Sequence, residues 1–432
     1  MIEVLQILLS FILFFLIITV PINIFNSKLF FSKKLFSLDI ASFNLIINCN
    51  ILLLISLLPF SLRLYNLFFI IIYSTIFIYI YFIKNFRFSL FKNFIQSTSI
   101  LLIIFLVISI NVAGELNLGW DAKHTFYIKA LFFIENQHFG DLNKFANNNW
   151  HPHLGSFLWA FFWNLTPIKL EYFGRLFYIF LFCFSIFYIC HNNFKDKFIG
   201  NIIFILIISF SYTYGRFSGL QDILIFSFLV ILSKYFSLLK NSNIIWYVLF
   251  ILLGCNLIIW FKFQGIVHST ILVLLLNFSS QISKKIKIYS NLFYISIVIF
   301  KIIIYQYFDF TYYDRPYHLD YLLNLNFDVI LHKLSFIIPF LFYYSLINIF
   351  FVAGTIILLM FNLQKKFNNY IKILNYYFIL NLIIIVFTYL LREWEVEFSV
   401  RTTMERLIFT SSGFYVFLII NYLKDINKIF LK

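Results

Sequence analysis

The sequence predicts an all-α fold: a polytopic integral membrane protein of about thirteen transmembrane helices, with interfacial helices in its first large outer loop. Three observations predict it. Of the 432 residues, 62% are hydrophobic and 12% charged, with mean hydropathy +0.91, which excludes a soluble domain. Apolar runs of membrane length recur along the whole chain, and no connection between them is long enough for a separate soluble domain. Basic residues, finally, crowd into alternate connections, as the positive-inside rule requires.

A bilayer core of about 30 Å takes roughly 20 apolar residues per helix. The runs that meet this are 3–25, 39–60, 64–84, 97–113, 172–190, 197–213, 221–239, 243–260, 263–279, 289–307, 340–362, 372–391 and 406–423. The first lacks a basic flank and a small-residue cleavage site, so it reads as a retained span. With the connection 114–153 set outside, the inner connections hold nineteen lysines and arginines against three acids, Asp39, Asp196 and Asp425. The expected orientation is N-out and C-in, in a membrane of the bacterial plasma (inner) type. The same asymmetry accounts for the net charge of +15 and leaves no reason for a nucleic-acid partner. Cys49, Cys183, Cys190 and Cys255 all fall in or beside apolar runs, with no spacing that suggests zinc or a disulfide framework.

The polar residues collect on the outer side. The longest early interruption, Gly114 to His153, opens with Asp121 and continues as a helical pattern over 121–135, with Phe126, Ala130, Phe133 and Ile134 on one stripe. This pattern predicts a helix lying in the interface. Asp121 stands at its start, where the helix dipole favours a carboxylate, either as a plain N-cap or as a reactive group. The turn Trp150-His151-Pro152-His153 follows. The apolar run 154–168 between Pro152 and Pro167 is too short to cross and would invert every later connection if it did, so it reads as a second interfacial or re-entrant helix. Glu171 and Arg175 then fall outside. Asp222 ends the short connection after Gly215, and Lys262 and Gln264 separate two spans at their outer ends. A lysine at that depth is costly unless solvated or paired with an anion. Asp309, Asp314, Arg315, His318 and Asp320 follow in 308–328, with 329–339 and its Pro339 read as another interfacial stretch. The last outer loop, 391–406, carries Arg392, Arg401 and Arg406 among four glutamates.

Carboxylates and cations at one depth suit the transfer of a sugar from a polyprenyl-phosphate donor. An attacking hydroxyl loses a proton to a general base, the leaving phosphate needs Arg or Lys in a dry setting, and a carboxylate stabilises the oxocarbenium-like carbon. Asp121 is the expected base. The expected substrate-binding residues are Lys123, His151, His153, Arg175, Asp222, Lys262, Gln264, Arg401 and Arg406. A metal site is not expected, no cofactor is required, and a divalent cation finds no support; His151 and His153 more readily fix their turn than bind an ion.

The order of these pieces resembles the GT-C superfamily of polytopic glycosyltransferases, which includes the protein O-mannosyltransferases and the lipid A aminoarabinose transferases. Trp120-Asp121-Ala122-Lys123 and His151-Pro152-His153-Leu154 match the acidic residue and His-Pro motif of that superfamily's first outer loop. Gly219-Leu220-Gln221-Asp222, Lys262-Phe263-Gln264-Gly265 and Thr402-Thr403-Met404-Glu405-Arg406 are similar to its later elements. The resemblance covers about 98–423. It implies an inverting transferase acting outside the membrane, on a glycan, lipid or protein acceptor. Gln264 departs from it by replacing an acid, and Asp121 by standing singly where some relatives carry an acidic pair. The expected organisation is N-terminal extra helices over 1–97, a catalytic module over 98–280 with outer loop 114–171, and C-terminal helices over 281–432 with outer loops 308–339 and 391–406. Three alternatives stay open: an O-antigen-type polymerase or ligase, a transporter or lipid flippase, and a non-enzymatic membrane scaffold.

Overall fold

The computed structural model describes residues 2–19, 37–83, 88–114, 117–144, 149–166, 168–194, 196–212, 217–239, 244–310, 326–365, 368–392 and 396–430. All regular structure among them is helical. In order these are α1 Ile2–Thr19, α2 Leu38–Ser56, α3 Leu62–Ile83 and α4 Phe88–Gly114. A π-helical turn at Ala122–Phe126 runs into α5 Tyr127–Ile134, and a 3-10 turn at Phe139–Lys144 precedes α6 Leu154–Leu165. Then come α7 Tyr172–Asn193, α8 Lys197–Tyr212, α9 Asp222–Ser237, α10 Ile244–Phe261, α11 Gly265–Phe278 and α12 Lys284–Tyr307. The last are α13 Phe327–Ile347, α14 Ile349–Leu363, α15 Asn369–Leu390 and α16 Val396–Phe430. Nine helices among the described residues are long and apolar enough to cross a membrane, the build of an integral membrane protein. Several others, α8, α11 and α14 among them, are apolar but shorter.

Two expectations about the last third are corrected. The stretch 329–339 is not a separate interfacial segment: it belongs to α13, 21 residues long, which carries Pro339 in its interior. Proline removes one backbone donor and strains one turn, and the apolar sequence on both sides holds the helix together across it. The break comes instead at Asn348, whose side chain caps the next helix by accepting from Phe351 N at 3.0 Å. The loop 391–406 is likewise helical from Val396 onward, so Arg401 and Arg406 stand on α16. Asp314, Arg315, His318 and Asp320 lie outside the described residues.

By packing, the chain forms two compact units, Met1–Ser227 with Ile259–Phe263, and Phe228–Ile258 with Gln264–Lys432. The division falls inside α9 and near the end of α10. At the heart of the first unit is α7, buried without interruption from Tyr172 to Cys190. Phenylalanines fill its surroundings: Phe14 of α1 meets Phe162, Phe177 and Phe180 at ring separations of 4.9–5.5 Å. Such edge-on and offset contacts add to simple area burial. At Gly174 α6 and α7 touch, where a Cβ would collide with the carbonyl oxygen of Trp159. Polar side chains tie the first helices together. Asn44 and Asn48 donate to the last carbonyls of α1, Ile18 O and Ile17 O, at 2.7 and 2.6 Å. These carbonyls have no partner within their own helix.

The second unit uses the same device between helices. Asn277 and Asn291 exchange hydrogen bonds, as do Asn362 and Asn375, and Asn381 donates to Ser411 Oγ at 3.1 Å. Amide pairs of this kind join helices where lipid offers no hydrophobic drive for association. Lys333 of α13, buried, donates to Leu390 O and Arg392 O at 2.9 and 2.6 Å and so caps the C-terminus of α15.

Candidate functional site

Four pieces of the first unit come together around Asp121. The first is the turn that carries it. Asp121 itself has helical dihedrals and makes no capping hydrogen bond, so a plain N-cap role does not describe its side chain. It is half-buried and leads into a π-helical turn, a geometry that recurs at functional sites. Lys123 and His124 are exposed one and two residues into that turn, and Trp120, 73% exposed, lies with its ring 4.7 Å from that of His124.

The second piece is the connection before Asp222. Gly119 N donates to Ser218 O at 2.9 Å, so the Asp121 turn and the Asp222 turn are laced by backbone. Gly219 has φ +86°, a conformation open to glycine and strained for other residues. A Cβ there would come 2.6 Å from the Trp159 ring and 3.0 Å from Ala122 Cβ. Trp159 of α6 is thus the floor of the Asp222 turn, and Tyr127, directly after the π-helical turn, lies with its ring 5.8 Å from the indole. Gln221 is fully buried; with its amide oriented to suit its neighbours, it donates to Phe261 O and accepts from Ser156 N at 3.2 Å, tying this connection to α6 and α10.

The third piece is a pair of buried charges on each side of that connection. Asp222 and Lys262 form an ion pair of 2.7 Å with both side chains less than a tenth exposed. Arg175, 1% exposed, grips Glu171 in a fork, Nε to Oε1 at 2.8 Å and Nη2 to Oε2 at 2.9 Å, while Nη1 donates to Phe217 O at 2.9 Å. Planar guanidinium suits this two-pronged contact. Burial lifts the Glu171 carboxyl above its usual range, and the Arg175 charge pulls it only part of the way back. Arg175 and Lys262, expected as ligands of substrate, are here bonded to carboxylates of the protein itself.

The fourth piece is the His-Pro-His turn. Lys129 of α5, 3% exposed, donates to His151 O at 2.5 Å and Asn149 O at 3.3 Å and so holds the turn from below. Trp150 stacks on His151 at 3.9 Å and meets Phe263 edge-on at 5.7 Å. His153 is fully buried against Phe139 and Trp260, and its Nε2 shares a hydrogen bond of 2.7 Å with Ser56 Oγ of α2. The helix that follows, α6, is buried from Leu154 to Trp163. At 12 residues it does not cross a membrane, and it is packed on every side, whereas a helix resting on the interface keeps one face wet.

The sequence reading missed Lys129, Ser56, Gln221 and Glu171 as contributors. Lys129 had a signal, since it stands between Phe126 and Phe133 on the apolar stripe of α5. A lysine there must reach acceptors, and it finds two carbonyls. Ser56 had none, because one serine at the end of an apolar run is ordinary. Gln264, Arg401 and Arg406 belong to the second unit. Gln264 precedes α11, and its carbonyl accepts from Val267 N and His268 N. Arg401, exposed, pairs with Glu397 at 2.5 Å and lies over the Phe340 ring at 5.4 Å. Arg406 follows Thr403, whose hydroxyl bonds Tyr389 at 2.7 Å. Among the described residues no three His, Cys, Asp or Glu side chains gather in a way that would hold a metal. The chain matches no protein-family model, no curated protein and no solved structure.

Proposed function

We propose that the chain is a membrane glycosyltransferase that moves a sugar from a polyprenyl-phosphate donor to a glycan, lipid or protein acceptor at the outer face, with inversion and with Asp121 as general base. The observation that carries this reading is the lacing of the Asp121 turn to the Asp222 turn over Trp159. A reactive carboxylate needs a fixed frame, and here backbone and a buried indole supply one. The motif resemblance over 98–423 supports the same reading. Lys123, exposed two residues beyond Asp121, is the cation nearest in sequence for the leaving phosphate. Asp222 with Lys262, and Arg175 with Glu171, hold the frame; His151 and His153 fix the turn that closes it. In this proposal about thirteen spans cross a bacterial plasma membrane, N-out and C-in, and the site faces outward.

The experiment is reconstitution in liposomes with polyprenyl-phosphate sugars and an outward-facing acceptor. General-base help is worth ~10²–10⁴ in rate, so Asp121→Asn should lower transfer by that factor while its thermal unfolding stays that of wild type. Equal rates for the two proteins would remove Asp121 from the mechanism.

A further inference from the structure

Between α2 and α3, in the first unit, lies a cavity of about 270 Å³ lined almost wholly by hydrocarbon and aromatic rings. Its floor is Leu52, Tyr65, Phe69, Tyr73 and Phe161, all buried. Its lips are Ile51, Leu58, Phe60, Phe68 and Ile72, each 40–50% exposed. The two tyrosines offer nothing polar to an occupant. Tyr65 Oη donates to Leu58 O at 2.7 Å and accepts from Phe60 N at 3.1 Å, and Tyr73 Oη donates to Asn48 Oδ1. A groove whose donors and acceptors are all spent on the protein recognises hydrocarbon, and water inside it gains nothing. Ile51 stands on α2, a helix of spanning length and composition, Phe68 and Ile72 on the apolar α3, and Leu58 and Phe60 in the connection between them, so the opening meets the chains of the bilayer.

The groove is joined to the candidate site at three points. Its innermost wall, Phe161, belongs to α6, the helix that begins beside His153 and carries Trp159 under the Asp222 turn. Ser56, one residue past Ile55 of the groove, holds His153. Phe60, at the outer lip, accepts through its carbonyl from His138 Nδ1 at 3.3 Å. A chain lying in the groove therefore runs up to the connection 57–61 and ends beside the His-Pro-His turn.

We infer that this groove binds the isoprenoid chain of the lipid-phosphate donor and so delivers the phosphate-linked sugar to the Asp121 frame; the choice of occupant rests on the sugar-transfer reading. The first helices, outside the motif resemblance, then form part of the substrate site. The test is a photo-crosslink. A benzophenone amino acid replaces Ile72 at the lip or, as a control, Ile110, which is equally exposed on α4. Each protein is placed in phosphatidylethanolamine–phosphatidylglycerol vesicles doped with an alkyne-tagged long-chain polyprenyl phosphate. The lip position should capture at least ten-fold more tagged lipid than Ile110, and untagged polyprenyl phosphate should abolish that capture while extra phosphatidylglycerol should not. Ile55→Trp, which fills the groove, should cut capture with little change in thermal unfolding. Equal capture at the two positions, or displacement by phosphatidylglycerol, overturns the assignment. No sugar moves in this assay, so loss of the crosslink condemns the groove alone, and an unaffected Asp121→Asn enzyme with an intact crosslink condemns the transfer reading alone.

Discussion

An ammonium and a carboxylate 2.7 Å apart and nearly dry, as in Lys262 and Asp222, hold each other in place more than they stabilise the fold. Taking two charges out of water costs about what their attraction returns, whereas removing one partner strands the other. Asp222→Leu and Lys262→Met should therefore each cost roughly 3–5 kcal/mol, and the double variant should recover most of it, read as thermal unfolding in detergent. Transfer by the refolded double variant separates two roles. Near-normal rates mean the pair is a brace, and a folded but inactive protein means that one of its charges meets substrate. The sequence put both residues correctly at helix ends, as separate ligands of a donor. Their pairing was not legible because 40 residues part them and no local rule links such positions. The fork of Arg175 on Glu171 was within reach, since a spacing of four on one helix brings two such side chains together.

For the elements, the sharpest constraint is where one turn leans on another. Gly219 combines φ +86° with a Trp159 ring that a Cβ would meet at 2.6 Å. Left-handed backbone alone costs a non-glycine residue about 1–2 kcal/mol, and the clash comes on top. Gly219→Ala should lower the unfolding midpoint and the rate together, because Ser218 beside it bonds Gly119 and the new carbon would press on Ala122, on either side of Asp121. Gly114→Ala, with nothing within 4 Å of its new carbon, should change neither. Other parts of the element order were open to reading from length and punctuation. The shortness of α6 between Pro152 and Pro167 told that it does not span. Its burial on all sides was hidden because a helix apolar all round shows no preferred face. Pro339 misled in the opposite direction: it looked like an end and lies inside α13, where apolar sequence outweighs one lost hydrogen bond.

Over the whole molecule, composition and the alternation of basic connections were enough to foresee a helical protein of many apolar helices. The partition into two packed units was not foreseeable, because it cuts through α9 and α10 and leaves no mark in loop length or charge. Nor was the even spread of asparagines between helices recognisable as a device, since each residue alone is unremarkable and only its partner explains it. Burial also differs sharply from helix to helix. The hydrophobic window of α7 is wholly inside, while those of α12 and α13 are 17% and 11% buried. All three have a composition suited to lipid, and only the last two turn most of their surface outward. The consequence is genetic. In a saturation library selected for the folded protein, α12 and α13 should accept almost any apolar exchange, since lipid conforms to whatever shape it is offered. Along α7 even Ile-to-Leu or Phe-to-Leu changes should be depleted, because its neighbours are side chains already committed to one arrangement. Equal tolerance in the three helices would mean that α7 meets lipid as they do.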